Sequence, residues 1–238
     1  MSFVQQAKFA SSIIQNKMLS FGLVFFASLV IFAISQVIHF YLAHYELHTM
    51  YISFVAGFIL FISLVSLVLH PLLINREGKQ QTYHLTSLLA NIGLVCVVQL
   101  LCFLIWITDA IALYSLYVDQ NSFLAQVFEI NAQAKGDMTF EFYCFNFILA
   151  WCFALLSMII GVLPCFIARL ENLGVVADFV AAFSFAKKHK RQLAGFALLL
   201  ATSVLIPLLY AKYLFLLVFP STLVYIFIRL NHSYLANK

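Results

Sequence analysis

Four polar residues lie within long apolar runs of this sequence and are the first candidates for chemistry. Asp109, in the segment WITDAIALY, is the only carboxylate inside such a run. Ionisable side chains within a membrane are costly and usually functional, which makes Asp109 the best candidate for a proton or ion role. His39, Gln36 and Gln99 could line a polar path with it. The alternatives are that Asp109 lies near the outer membrane boundary, and that the glutamines only join helices by hydrogen bonds.

A second candidate is the pair His44 and His48, which are four residues apart in the segment HYELH. Two imidazoles at that spacing on one helix could share a metal ion. Against this, Glu46 would project away from their common face, and the segment is a turn between apolar runs. The sequence also lacks a Walker loop, a GxSxG elbow, a HExxH helix and a haem-attachment motif. We therefore expect no metal site, no cofactor and no catalytic residue.

The third candidate is the only dense cluster of charge in the chain, which we call the basic cluster. Its members are Lys187, Lys188, Lys190 and Arg191. Just upstream, apolar residues recur at helical spacing: Val175, Val176, Phe179, Val180 and Phe183. This pattern predicts a surface helix over about 173–186, with its apolar face in the lipid and with Asp178 and Ser184 outside that arc. The basic cluster would then be a topology anchor, or a site for anionic phospholipid headgroups or for a membrane-protein partner.

The overall composition places these candidates in a membrane. Of the 238 residues, 64% are hydrophobic and only 9% are charged, whereas soluble domains contain about 25% charged residues. The basic cluster lies between two membrane-length segments, so a nucleic-acid partner is not expected. The lipid bilayer itself is the expected partner. The composition predicts an all-α polytopic membrane protein.

Six apolar runs are long enough to cross a membrane, for which about 20 helical residues suffice. The predicted spans cover about 19–41, 51–73, 85–108, 142–168, 193–210 and 213–228, within a single membrane domain over residues 1–238. Residues 3–18 are weakly amphipathic and could form a second surface helix that leads into the first span.

The basic residues predict the orientation of the six spans, because cytoplasmic segments are enriched in Lys and Arg. With a cytoplasmic N-terminus, only Lys135 and Lys212 of the thirteen Lys and Arg residues lie outside, which leaves eleven inside. Both termini would then be cytoplasmic. Eight tyrosines fall near the predicted outer ends, as an interfacial aromatic belt requires: Tyr41, Tyr45, Tyr51, Tyr114, Tyr117, Tyr143, Tyr210 and Tyr213.

The segment from Glu171 to about Leu205, ENLGVVADFVAAFSFAKKHKRQLAGFALLLATSVL, resembles a pattern in the YciC-like bacterial inner-membrane proteins. In that family an amphipathic "ENLG…A…SF…K" helix with a basic end precedes a pair of C-terminal spans. This chain has Ala-Lys-Lys-His-Lys where such proteins often show an Asn-Trp-like junction. The resemblance implies a bacterial inner membrane and a six-span layout, and it implies no reaction.

These observations favour a non-enzymatic protein with a structural or accessory role in the bacterial inner membrane or envelope. The main alternative is a small transporter or permease subunit, in which the polar residues of the spans line a path. A membrane-embedded lipid-modifying enzyme has only the outer His, Glu and Asp residues in its favour. Transport predicts that the polar side chains converge on one internal cavity, whereas an accessory role predicts that they scatter into local pairs.

Overall fold

The computed structural model describes residues 3–67, 69, 85–117, 139–171 and 173–236. The chain is all-α over these ranges, which contain no β-strand. Within them, six helical segments are long and apolar enough to cross a membrane: Ser20–His44, His48–Ser66, Leu89–Tyr114, Thr139–Leu170, Lys190–Tyr210 and Lys212–Ala236. The prediction of an all-α polytopic membrane protein is confirmed.

The first span is the end of a single long helix, α1, which runs without a break from Phe3 to His44. The amphipathic lead at residues 3–18 is thus helical and continues directly into the span. No proline interrupts this stretch, so nothing in the backbone forces a turn between the two. The predicted loop after the second span, and the end of that span from residue 70 to residue 73, lie outside the described residues.

The second span forms the centre of the bundle. It consists of a 3₁₀ turn at His48–Met50, helix α2 (Tyr51–Phe58), a second 3₁₀ turn at Ile59–Phe61 and helix α3 (Ile62–Ser66). Within its most apolar window 72% of the residues are buried, compared with 17% in the first span and 22% in the third. The second span packs against the first, third, fourth and fifth spans, and the first and third spans turn most of their surface outward.

The third span belongs to α4 (Leu85–Tyr117) and the fourth to a longer rod. That rod joins α5 (Thr139–Leu156), a π-helical segment at Ser157–Val162 and α6 (Leu163–Leu170). Pro164 explains the π-helical segment, because proline lacks an N–H and its ring crowds the carbonyl one turn earlier in a regular α-helix. The wider turn therefore lies just before the proline.

The last two spans form a hairpin of α8 (Lys190–Tyr210) and α9 (Phe215–Ala236), joined by Ala211 and a 3₁₀ turn at Lys212–Leu214. The connections place six tyrosines at one end of the bundle, which we call the tyrosine end: Tyr41, Tyr51, Tyr114, Tyr143, Tyr210 and Tyr213. The opposite end, the basic end, carries Arg169, Arg229 and the basic cluster. This segregation follows from the alternating direction of successive spans.

A fourteen-residue helix, α7 (Val175–Lys188), lies between the fourth and fifth spans, and we call it the crossing helix. It begins after Gly174, whose φ of 98° is a conformation that glycine adopts most readily. Asp178 contacts Asn91 of α4, whereas Phe185 contacts Tyr234 of α9. The crossing helix packs mainly against the end of the fourth span, over α6 and the π-helical segment. It connects the fourth and fifth spans at the basic end of the bundle.

Candidate functional site

Asp109 lies in an apolar groove on the surface of the bundle. Its side chain is exposed, and the groove, of about 520 Å³, runs between α4 and α5. Trp106 forms one wall: its indole N–H donates to the backbone oxygen of Ser53 at 3.0 Å, and its ring meets Phe153 edge-on at 5.4 Å. Among the described residues that line the groove, Asp109 is the only charged one. Over its described lining, the groove offers one carboxylate beside an apolar surface.

Gln99 lies in a buried polar cluster that joins three spans. Its side-chain oxygen accepts a hydrogen bond from the Ser63 hydroxyl at 2.7 Å. The backbone N–H of Ser63 donates to the Ser157 hydroxyl at 3.3 Å, and that hydroxyl donates to the backbone oxygen of Leu60 at 2.9 Å. Gly161 makes the close approach possible, because a Cβ there would lie 2.3 Å from the Cβ of Ser63. The cluster holds the second, third and fourth spans together by hydrogen bonds within the membrane.

His39 and Gln36 lie on the first span, toward the tyrosine end. The imidazole of His39 meets the ring of Tyr51 edge-on at 4.8 Å, and the hydroxyl of Tyr51 shares a hydrogen bond with the hydroxyl of Ser35. The amide nitrogen of Gln36 is buried and has no hydrogen-bond partner among the described residues. His39 therefore helps to join the first and second spans and is engaged with a neighbouring ring.

Neither of the two grooves formed by described residues brings the four polar candidates together. Within the described part of the chain, the groove at Asp109 is lined by none of the other three. A second groove, of about 330 Å³ between α5 and α8, is lined by none of the four. Gln99 and His39 each have a local contact of their own, with Ser63 and with Tyr51. The structure thus places Gln99 and His39 in separate helix contacts, apart from the groove at Asp109.

The hypothesis of a shared metal at His44 and His48 does not fit the backbone. Helix α1 ends at His44, Glu46 takes a left-handed conformation with φ of 60°, and a new 3₁₀ turn begins at His48. The two imidazoles therefore do not occupy one face of one helix, which was the basis of the hypothesis. Over the described ranges, no group of three or more His, Cys, Asp or Glu residues could hold a metal ion.

The crossing helix has two different faces. Its inner face is buried against the bundle and carries Asp178, Ala182, Phe185 and Ala186. Its outer face exposes apolar side chains, with 77% of Val176, 64% of Val180 and 53% of Phe183 accessible. We call these three residues the apolar stripe. The members of the basic cluster are exposed beyond the end of the stripe.

Asp178 lies outside the apolar stripe, as expected, on the face of the crossing helix that is buried against the bundle. The residue is completely buried, and its carboxylate accepts a hydrogen bond from the side-chain nitrogen of Asn91 at 2.9 Å. Burial raises the pKa of Asp178, and the nearby Glu171 adds to this rise. The hydrogen bonds from Asn91 and from the backbone of Leu173 oppose it by favouring the charged form.

Two features of the sequence could have revealed this contact. Small residues recur at Ala182 and Ala186, one and two turns after Asp178, and small side chains allow one helix to approach another closely. Asn91 lies in an otherwise apolar run, where an amide needs a polar partner. The two serines of the cluster at Gln99, Ser63 and Ser157, gave no comparable signal, because single serines are common in apolar helices.

No protein-family model matches this chain, and neither a curated protein nor a solved structure was found to match it.

Proposed function

We propose that this chain is a non-enzymatic accessory or structural component of a bacterial inner membrane, with both termini in the cytoplasm. One observation carries the proposal: over the described residues, Gln99 and His39 each contact a neighbouring span, and neither lines the groove at Asp109. Gln99 bonds with Ser63, and Asn91 bonds with Asp178. The resemblance of residues 171–205 to the YciC-like family supports the location.

The chemistry of these contacts fits a role in helix assembly. In a membrane, apolar surfaces give little driving force for association, so hydrogen bonds and close packing of small residues hold helices together. The cluster at Gln99 has this character, since it combines two serine hydroxyls with the close approach at Gly161. A transport path would instead need polar groups that remain available to a solute along the membrane normal.

A flux measurement tests the proposal. The purified chain is reconstituted in liposomes, and the movement of H⁺, Na⁺ and K⁺ is followed with ion-sensitive dyes under an imposed potential. We expect fluxes equal to those of empty liposomes, for the native chain and for Asp109→Asn alike. A flux in the native chain that Asp109→Asn abolishes, at equal reconstitution, would replace the accessory role by transport.

The accessory role itself is tested in cells. Deletion of the gene should alter envelope properties such as sensitivity to detergents, and both the native chain and Asp109→Asn should restore them fully. Complementation by the native chain but not by Asp109→Asn, at equal membrane levels, would contradict the proposal.

A small transporter or permease subunit is the second candidate, and the groove at Asp109 is the observation in its favour. The groove has a volume of about 520 Å³ and places one exposed carboxylate among apolar and aromatic side chains. Such a surface suits a cationic group attached to an apolar body. The flux experiment separates this candidate from the accessory role.

A further inference from the structure

We propose that the crossing helix and the basic cluster form a binding surface for an anionic phospholipid in the leaflet at the basic end of the bundle. The apolar stripe would contact the upper part of the acyl chains, and the lysine and arginine side chains would bind the phosphate. This inference goes beyond the accessory role, and it would stand even if the chain proved to transport a solute.

The outer face of the crossing helix is held in place by contacts of its inner face. Its inner face is fixed by the hydrogen bond between Asp178 and Asn91 and by the buried Ala182. Phe185 lies against Tyr234 of the last helix, with ring centroids 5.5 Å apart. The helix cannot turn to bury its apolar stripe without breaking these contacts. The stripe is therefore presented outward as a preformed surface.

The connections of the crossing helix to the neighbouring spans indicate the depth of the apolar stripe in the membrane. The crossing helix begins at Val175, shortly after the fourth span ends at Leu170, and is followed directly by the fifth span from Lys190. Both of its ends are thus tied to span ends. A helix at this level that exposes Val180 and Phe183 places them at the boundary between headgroups and acyl chains, where amphipathic surface helices bind.

The positive charges of the basic cluster lie next to the apolar stripe. Lys187 follows Phe183 by four residues, which places it next along the same side of the helix. Lys188, Lys190 and Arg191 are exposed within the next turn. From residue 173 to residue 236 the only carboxylate is Asp178, which is buried on the opposite face. The cluster therefore presents four exposed positive charges directly beside an apolar surface.

The apolar stripe and the basic cluster together favour an anionic phospholipid as the ligand. A phosphate group free in solution would use the cations but would leave the apolar stripe uncovered, whereas a neutral lipid would cover the stripe without using the cations. A phospholipid with a net negative headgroup satisfies both, because lysine and arginine stems can extend along apolar surface while their charged ends reach the phosphate.

Lipid titration of the full chain, followed by native mass spectrometry in detergent, tests the proposal. We expect tighter binding of phosphatidylglycerol than of phosphatidylcholine with the same acyl chains. Each Lys or Arg near a membrane surface contributes a factor of about five to the binding of anionic lipid. Lys187→Gln together with Lys188→Gln should therefore weaken phosphatidylglycerol binding about 25-fold and leave phosphatidylcholine binding unchanged.

A matched control removes two lysines elsewhere, Lys135→Gln with Lys212→Gln, and should keep the affinity for phosphatidylglycerol within about twofold. Phe183→Ser should weaken the binding of both lipids. Glycerophosphoglycerol, which has the headgroup without acyl chains, should not compete. Thermal melting of each variant in the same detergent checks folding, and Lys190→Gln with Arg191→Gln provides a second pair for the same comparison.

Three results would overturn the proposal. The first is equal affinity of the native chain for the two lipids. The second is an equal loss of phosphatidylglycerol binding in the control pair and in the pair from the basic cluster. The third is effective competition by glycerophosphoglycerol, which would identify a site for soluble phosphodiesters instead of a lipid surface.

Discussion

At the scale of single residues, Asp178 is the carboxylate on which the position of the crossing helix depends. It is completely buried, and its carboxylate accepts a hydrogen bond from the amide of Asn91, 87 residues earlier in the chain. A buried polar group that loses its partner costs about 1–3 kcal/mol, and more when it is charged. The pair therefore couples the crossing helix to the third span through one hydrogen bond.

Asn91→Ala should loosen the crossing helix, because it leaves the carboxylate of Asp178 buried without its amide donor. We expect faster amide hydrogen exchange across Val175–Lys188, corresponding to a loss of about 1–3 kcal/mol in the free energy of opening. Asn146→Ala is the matched control, since the Asn146 side chain donates to the Phe142 backbone oxygen of its own helix at 2.9 Å. Equal exchange of the crossing helix in the two variants would contradict the role of the pair.

The same carboxylate predicts a dependence on pH. Burial raises the pKa of Asp178 above the value of about 3.9 for an exposed Asp, so the docked helix binds more protons than the undocked one between the two values. The free energy of opening should therefore fall as pH rises through that window and level off once Asp178 is ionised in both states. Protection factors of the crossing helix, corrected for intrinsic exchange, measure this change.

Asp178→Asn keeps a polar side chain of the same shape and removes the titration, so its protection factors should not change with pH in that window. Two further ionisable groups lie near Asp178: the thiol of Cys165, and Glu171, whose carboxylate accepts a hydrogen bond from the Tyr234 hydroxyl. A pH dependence that persists in Asp178→Asn would assign the titration to another group, such as Glu171.

At the scale of elements, the π-helical segment at Ser157–Val162 is the tightest contact of the bundle. A Cβ on Gly161 would lie 2.3 Å from the Cβ of Ser63 and 2.7 Å from the amide nitrogen of Gln99. Gly161→Ala should therefore force the second and fourth spans apart and break the cluster at Gln99. Overpacking of this kind typically costs about 1–3 kcal/mol. Thermal melting in detergent, with aggregation followed by size exclusion, measures the loss.

Gly93→Ala and Gly195→Ala are matched controls, because a Cβ at either position meets no atom within 4 Å. Alanine favours a helix by roughly 0.5–1 kcal/mol over glycine. The two controls should melt at the same temperature as the native chain or slightly above it. Melting of Gly161→Ala at the native temperature would show that the contact adapts without loss.

Sequence patterns predict the existence of most of these helices but not all of their packing. Apolar run length predicts six membrane-length helices, because a membrane imposes one requirement of length and polarity on every span. Helical periodicity predicts the crossing helix. Periodicity also places Asp178 outside the hydrophobic arc, but the burial of Asp178 depends on Asn91, which lies on another helix. The π-helical segment has only Pro164 as a signal in the sequence.

At the scale of the whole molecule, the distribution of polar residues could not be read from the sequence. Gln99, His39 and Asp109 all stand out within apolar runs, but whether they meet depends on how the helices pack. The structure pairs Gln99 with Ser63 and places Asp109 in a groove lined by neither. Serine hydroxyls also bond to carbonyl oxygens of their own helix, as Ser28 does with Val24, so they give no specific signal.

The orientation of the whole molecule gives the last prediction. Eleven of the thirteen Lys and Arg residues fall on one side of a six-span arrangement, and moving or removing one span would mix the two groups. The structure is consistent with this arrangement, since the basic cluster and the tyrosines at helix ends lie at opposite ends of the bundle. Cysteines introduced at Ser122 and at Ser184 should therefore lie on opposite sides of the membrane.

A membrane-impermeant maleimide, applied to spheroplasts of cells that express the chain, makes this measurable. The thiol at Ser122→Cys should react in intact spheroplasts, whereas the exposed position Ser184→Cys, on the crossing helix, should react only after the membrane is opened. The chain without introduced cysteines supplies the background from its five native thiols. Labelling of Ser122→Cys only after opening would invert the orientation. It would also move the basic cluster to the outer leaflet, where the positive-inside rule does not place it.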